Sequence, residues 1–256
     1  MRQFYLETDP DHPPRPGDTV TLDQAESHHL FTVLRGGRDP RLDLVDGRGL
    51  RLTGSPSGRE GKRAQLDILT CETDAEEFRQ PRLVLACAVV KGRRFEWALE
   101  KAVELGAHEV QPLVTDLGVI DPRPGKQERW RSLMIAALKQ SRRSWLPVLS
   151  EPLTVQQFLQ RRPGGRTYFG ATADDAGDGG HPAAFRTILD RESTGDAPAT
   201  LALLVGPEGG WSAAERSLMS GHGALPVCLG PHVLRTETAA VTGLAFLQEL
   251  RGHWSG

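Results

Sequence analysis

Between Leu201 and Ala240, in LALLVGPEGGWSAAERSLMSGHGALPVCLGPHVLRTETAA, lie three ionisable residues beside glycine-bearing turns: Glu208, Arg235 and Glu237. Gly206-Pro207-Glu208-Gly209-Gly210 sets one carboxylate in a turn with three glycines. Glycines there supply positive φ and leave backbone N–H groups uncovered, so a ligand can approach the main chain. Arg235 stays protonated and cannot act as a base, but it can stabilise charge on an oxygen or hold a phosphate. Glu208 and Glu237 can accept a proton if burial disfavours their charged form. Each also has an ordinary explanation, Glu237 as a helix N-terminal carboxylate meeting orphan amides and Glu208 as a turn-stabilising acceptor.

The elements that must position these residues can be read around them. Leu201 to Val205 is an unbroken apolar run, as expected of a strand buried on both faces of a parallel sheet. Ser212 and Glu215 form a capping box that starts a helix at about Ala213, and Gly221-His222-Gly223 ends it. Val227 to Gly230 is a second buried strand, and Thr236-Glu237-Thr238 opens a final helix reaching Leu250. The two strand ends are expected side by side at the carboxyl edge of a sheet, where open α/β sheets bind ligands. A pair of ordinary βα turns would have the same composition. No G-x-G-x-x-G opens a helix here and no G-x-x-x-x-G-K-[ST] occurs, which argues against a dinucleotide or triphosphate site.

GPEGGWSAAE and LGPHVLRTETAA resemble the two C-terminal signatures of the RsmE family of ribosomal RNA methyltransferases, in the SPOUT superfamily. The resemblance implies S-adenosylmethionine (SAM) as cofactor, methylation of N3 of a uridine in 16S rRNA, and a fold that periodicity would not propose, a trefoil knot. It implies a cofactor set of Thr172, Val205, Gly206, Glu208, Gly209, Gly210, Leu229, Gly230, Val233, Leu234, Thr236 and Ala239. Main-chain groups at Val205, Gly206, Gly210, Leu229 and Leu234 would bind adenine and ribose. Uridine N3 carries a proton at neutral pH, so the acceptor half needs a base, Glu208 or Glu237, and Arg235 for the charge on O2 or O4.

The chain in order extends the resemblance. Residues 1–75 read as a small β-rich domain, with short strands at Phe4–Leu6, Thr19–Leu22, Leu42–Val45, Leu50–Leu52 and Ala64–Thr70. Asp46-Gly47-Arg48-Gly49 is a hairpin turn, and Asp23 with Glu26 makes a capping box for one helix. Ser55 to Arg63 reads as a mobile loop. The whole resembles the PUA-like RNA-binding barrel at the front of RsmE proteins, and His28-His29-Leu30-Phe31-Thr32-Val33-Leu34-Arg35 matches its HH…VLR segment. His28, His29 and Arg35 are thereby RNA-binding candidates, although the histidines also fit a half-exposed helix pair.

A polar stretch from Thr73 to Arg82 separates this domain from an α/β domain at 80–256. There, Leu83 to Val90 is a buried strand, and KGRRFEWALEKAVELG matches the family's KxxR…KxxELG segment, with Arg93 an RNA candidate. Where the family has a short basic segment, this chain reads Asp116-Leu117-Gly118-Val119-Ile120. A helix is expected from Lys126 to Trp145. Its end resembles the family's E-Q-S-x-R, with Lys139 in place of Glu, and adds Arg142 and Arg143 as RNA candidates or as cations facing the helix dipole. The apolar final helix needs cover, which superfamily proteins provide by homodimerising.

Composition bounds the rest. A 38% hydrophobic content suits a soluble globular protein, and no apolar run approaches the roughly 18 residues of a membrane span. Cys71, Cys87 and Cys228 are odd in number and far apart, which favours a reducing cytoplasm over disulfides or zinc, and no metal site is expected. The net charge of −2 is unevenly spread: residues 81–170 hold 15 Lys/Arg against 8 Asp/Glu, while both flanking stretches are acidic. Arginines, 26 against 5 lysines, suit phosphate, though codon preference would produce the same excess. Two other functions stay open: 2′-O-ribose methylation of tRNA or rRNA, and non-catalytic RNA binding.

Overall fold

The computed structural model describes residues 3–33, 41–75, 81–118, 125–161, 165–172, 182–192 and 197–252. The chain divides into two compact units, one of residues 1–78 with 135–146, the other of 79–134 with 147–256.

The first unit contains β1 (Gln3–Tyr5), β2 (Thr19–Thr21), α1 (Gln24–Val33), β3 (Leu42–Val45), β4 (Leu50–Glu60) and β5 (Arg63–Thr73). Its mixed sheet has the order β1-β3-β4-β5-β2, with β1 parallel to β3 and the remaining pairs antiparallel. Alternate residues Leu42, Leu44, Leu50, Leu52, Leu66 and Ile68 turn inward with Phe4, Leu22 and Leu30. Period-2 alternation is thus what builds this core.

Two local expectations fail here. Ser55 to Arg63 is mostly not loop: β4 and β5 stay paired out to Glu60 and Arg63, with bulges at Thr53/Gly54 and Pro56/Gly58. The outer part of β4, residues 56–60, is solvent-exposed and shows no alternation, although its backbone ladder continues against β5, where Ala64 and Leu66 stay buried. The Asp23 capping box is only half formed. Asp23 Oδ1 accepts from the Glu26 N–H at 2.7 Å, but the Glu26 carboxylate turns instead to the Tyr5 N–H and Lys139.

The second unit is an α/β layer structure. Its elements are β6 (Arg82–Ala88), α2 (Arg94–Glu104), β7 (Glu109–Val114), the first part of α3 (Lys126–Ser141, residues from 135 on belonging to the first unit), β8 (Val148–Leu149), β9 (Leu153–Thr154) and α4 (Val155–Gln160). They continue with β10 (Arg166–Gly170), β11 (Ala183–Ala184), α5 (Phe185–Glu192), β12 (Thr200–Val205), α6 (Ala213–Gly221), β13 (Leu225–Cys228) and α7 (Thr236–Gly252). The sheet order is β11-β13-β10-β12-β6-β7-β8, with β9 also on β7, and the registered pairs are all parallel. Strands β6 and β12 are buried throughout apart from their first residues, which accounts for their unbroken apolar runs.

Strands β12 and β13 are not neighbours, contrary to the side-by-side expectation: β10 lies between them. Successive strands often pair, but a crossover can skip a position, and nothing local records which position it skips. Helix α3 stops at Ser141 rather than Trp145. Arg142 enters the left-handed region at φ 58°, and the Arg143 N–H returns to the Leu138 carbonyl at 3.2 Å.

Candidate active site

Three loops leave the carboxyl ends of β12, β10 and β13, and named bonds tie them into one group. Trp211 is buried and its Nε1–H donates to the Gly170 carbonyl at 2.9 Å, joining the β12 loop to the end of β10. The Thr236 hydroxyl, also buried, donates to the Gly206 carbonyl at 3.0 Å and joins the start of α7 to the β12 loop. Leu229 lies against Gly170, where an added Cβ would come within 3.1 Å of its Cδ1.

The glycines of the β12 loop have separate reasons. Only Gly210 takes positive φ, at 71°. Gly206 is required by proximity, because a Cβ there would meet the Trp211 indole at 3.0 Å. The loop's far end is fixed by the Ser212–Glu215 capping box, formed in both directions. Glu215 also accepts from the Asp116 N–H at 3.0 Å, and the Ser212 hydroxyl donates to Asp116 Oδ2. In this chain, then, Asp116 anchors the helix α6 N-terminus.

The charged groups gather over the end of β6. Arg94, in the first turn of α2, pairs with Glu208 and places its Nε 3.9 Å from Glu237 Oε1. Glu208 is exposed, whereas Glu237 is mostly covered and its Oε2 is buried without a hydrogen-bond partner among the described residues. Beneath them the Cys87 thiol is pushed up to about 12, first by burial and then by the charges of Glu237 and Glu208. Arg235 is exposed, and its carbonyl accepts the Ala239 N–H at 2.8 Å as the helix-capping residue.

Glu208, Gly209 and Gly210 thus lie on the β12 loop and Leu229, Gly230, Val233 and Leu234 on the β13 loop; Thr236 and Ala239 sit in the first turn of α7 and Thr172 just past β10. Val233 is 81% exposed, its side chain in solvent. His28 and His29 are exposed on α1, with the His29 ring 5.5 Å from that of Phe4. Arg93 and Arg142 are exposed, while Arg143 is buried in the first unit. Arg35 lies outside the described residues. Sequence reasoning gave no role to Arg94 or Trp211; the only signals for them were their places in KGRR and GPEGGW.

A family model for the RNA methyltransferase domain matches residues 76–248. Ribosomal RNA small subunit methyltransferase E of Synechocystis is 34% identical to this chain, covering 91% of it and 73% of that protein. The chain belongs to the ribosomal RNA small subunit methyltransferase E family. The Mycobacterium bovis member is 31% identical over 98% of this chain and 92% of its own length. Among solved structures, the Neisseria gonorrhoeae member bound to S-adenosyl methionine superposes with a TM-score of 0.79 at 28% identity, over 98% of both chains. A putative methyltransferase of Legionella pneumophila in complex with SAM gives 0.80 at 30% identity, over 96% of both chains. Among the described residues no helix is long and apolar enough to cross a membrane, and no group of His, Cys, Asp and Glu is arranged to hold a metal ion.

Proposed function

We propose that this protein transfers a methyl group from SAM to N3 of a uridine in 16S rRNA of the small ribosomal subunit. The observation that carries the reading is the tying of three strand-end loops into one group, which would form a niche lined by main chain, with Glu208 and Glu237 both at Arg94. Family members crystallised with SAM support the cofactor. The residues present fit it: a Cβ on Gly230 would have nothing nearer than Leu234 at 3.7 Å, which leaves the β13 loop's main chain open to a ligand. Main-chain groups of Val205, Gly206, Gly210, Leu229 and Leu234 would hold adenine and ribose, with Thr172, Glu208, Gly209, Gly230, Val233, Thr236 and Ala239 completing the lining.

When bound, SAM supplies an electrophilic methyl group on a sulfonium. Glu237 or Glu208 would accept the proton of uridine N3, whose freed electron pair would take the methyl group while the C–S electrons remain with the departing sulfur. Arg235, a fixed cation, offers its N–H groups to the charge on uracil O2 or O4. The niche contributes mainly by holding donor and acceptor in line.

RNA contacts are assigned to His28, His29, Arg35 and Arg142 from the first unit and to Arg93 from the second; burial leaves Arg143 a structural part. The five-stranded mixed sheet supports a PUA-like barrel in a domain of residues 1–75, and the β13-β10-β12 order supports a trefoil knot in a SPOUT domain of 80–256. Helix α7 buries Ala240, Gly243, Leu244, Leu247 and Leu250 and leaves Ala245 exposed and Val241 half-buried, which supports a homodimer through that helix. Work on 30S subunits implies a cytoplasmic enzyme. Mass spectrometry of small-subunit rRNA from cells with and without this protein tests the reading: one N3-methyluridine should vanish with the protein. Loss of a 2′-O-methyl mark would favour ribose methylation, and an unchanged spectrum would leave only RNA binding.

A further inference from the structure

We infer that Arg94 is a positioning residue that gives the proton-accepting role to Glu237 and withholds it from Glu208. The inference rests on the methyltransferase reading above and deepens it. Arg94 lies at the start of α2, just past the end of β6, and its one guanidinium meets carboxylates from two other segments. The Nη1 end pairs closely with Glu208 of the β12 loop. The Nε edge stands 3.9 Å from Glu237 Oε1 in the first turn of α7, too far for a hydrogen bond but near enough to attract.

The two carboxylates are therefore in different states. Glu208 has its charge satisfied by Arg94 Nη1, and its side chain is 45% exposed, so water serves it as well. Glu237 is 15% exposed, keeps Oε1 on the cation's side, and has Oε2 buried and unpartnered among the described residues. A buried carboxylate oxygen without a donor is costly, and an incoming uracil N3–H would remove that cost. Both negative charges reach the buried Cys87 thiol below them, so they share one neighbourhood. Without a cation between them they would repel, and Glu237 would lose the orientation that aims Oε2 inward. Arg235 does not supply that cation, since its exposed side chain makes no hydrogen bond or ion pair with the described residues.

The test uses the full chain, SAM, and 30S subunits from cells lacking the protein, with kcat, the KM for the subunit and the SAM Kd measured for each variant. Arg94→Ala should lower kcat about 100-fold, the size of a lost general-base contribution, with SAM Kd and KM within about 3-fold. Arg94→Lys should recover part of the kcat, because it restores the charge without the fork. Glu237→Gln should be at least as severe as Arg94→Ala in kcat, and should lower kcat at least about 10-fold more than Glu208→Gln does. A kcat for Arg94→Ala within about 3-fold of wild type, equal losses of kcat and SAM affinity, or Glu208→Gln as damaging as Glu237→Gln would each overturn the inference. Should Arg94→Ala fail to fold, Arg94→Lys carries the test: lower kcat with SAM affinity kept supports it, and both falling together overturns it. A wild-type chain that binds SAM but methylates no 30S RNA would sink the methyltransferase reading and this inference together. An active wild type matched by its Arg94 variants would sink this inference alone.

Discussion

Two buried protons in the second unit give the chain a defined response to alkali. The Cys87 thiol rises from an ordinary 9.0 to about 12, chiefly through burial with the charges of Glu237 and Glu208 adding to it. The Tyr168 hydroxyl rises from 10.0 to about 12 through burial, opposed by the Arg166 charge. Above pH 9 to 10 the unfolded chain releases these protons while the folded chain keeps them, so folding binds protons and stability falls with rising pH. The stabilisation is complete below about pH 9 and is lost as pH climbs toward about 12, at about 1.4 kcal/mol per pH unit for each group. Urea midpoints measured from pH 8 to 11 should fall in that window. A disulfide reagent at pH 8 should label half-buried Cys228 in the native protein and spare Cys87; equal labelling would mean that the β6 end is open to solvent. None of this was legible from three cysteines far apart in sequence, because their environments are set by strands that meet only in the sheet. Glu208, Arg235 and Glu237 stood out in the sequence through glycines and caps nearby, whereas Arg94 lies more than a hundred residues from its partner and reads as one basic residue of a KGRR run.

Among elements, α7 packs closely on β12, the strand that leads into the Gly206–Gly210 loop. A Cβ on Gly243 would come within 2.1 Å of Leu203 Cδ2, and Leu203 is itself buried in the strand that ends at Val205. Gly243→Ala should therefore cost about 1–3 kcal/mol through overpacking, although alanine is the better helix former. Denaturant unfolding would measure it, and Leu203→Val in the same chain should give back part of the loss, since the two sites share one contact. Additive losses would remove the steric explanation. Most elements could be read from local pattern: the apolar strands β6 and β12, the Ser212–Glu215 box, and the turn at Asp46-Gly47-Arg48-Gly49. The outer half of β4 could not, because an exposed strand carries no side-chain pattern. The early end of α3 was equally hidden, since a left-handed arginine has no compositional mark.

For the molecule as a whole, the proposed homodimer through α7 predicts that sedimentation velocity finds a two-chain species. Ala245→Arg, on the exposed face of the helix, should shift it toward monomer, and a monomeric wild type would withdraw the proposal. The sequence by itself determined the longer apolar strands and capped helices, where the glycine-bearing turns fall and which carboxylates and arginine lie beside them. Those are local properties, written in the periodicity and composition of a few neighbouring residues. Only the tertiary structure decided that β10 separates β12 from β13, that Trp211 and Thr236 tie three loops together, and that Arg94 stands between Glu208 and Glu237. Such facts depend on which of several right-handed crossovers the chain takes. That choice is made by the summed packing of the whole sheet rather than by any single stretch of sequence.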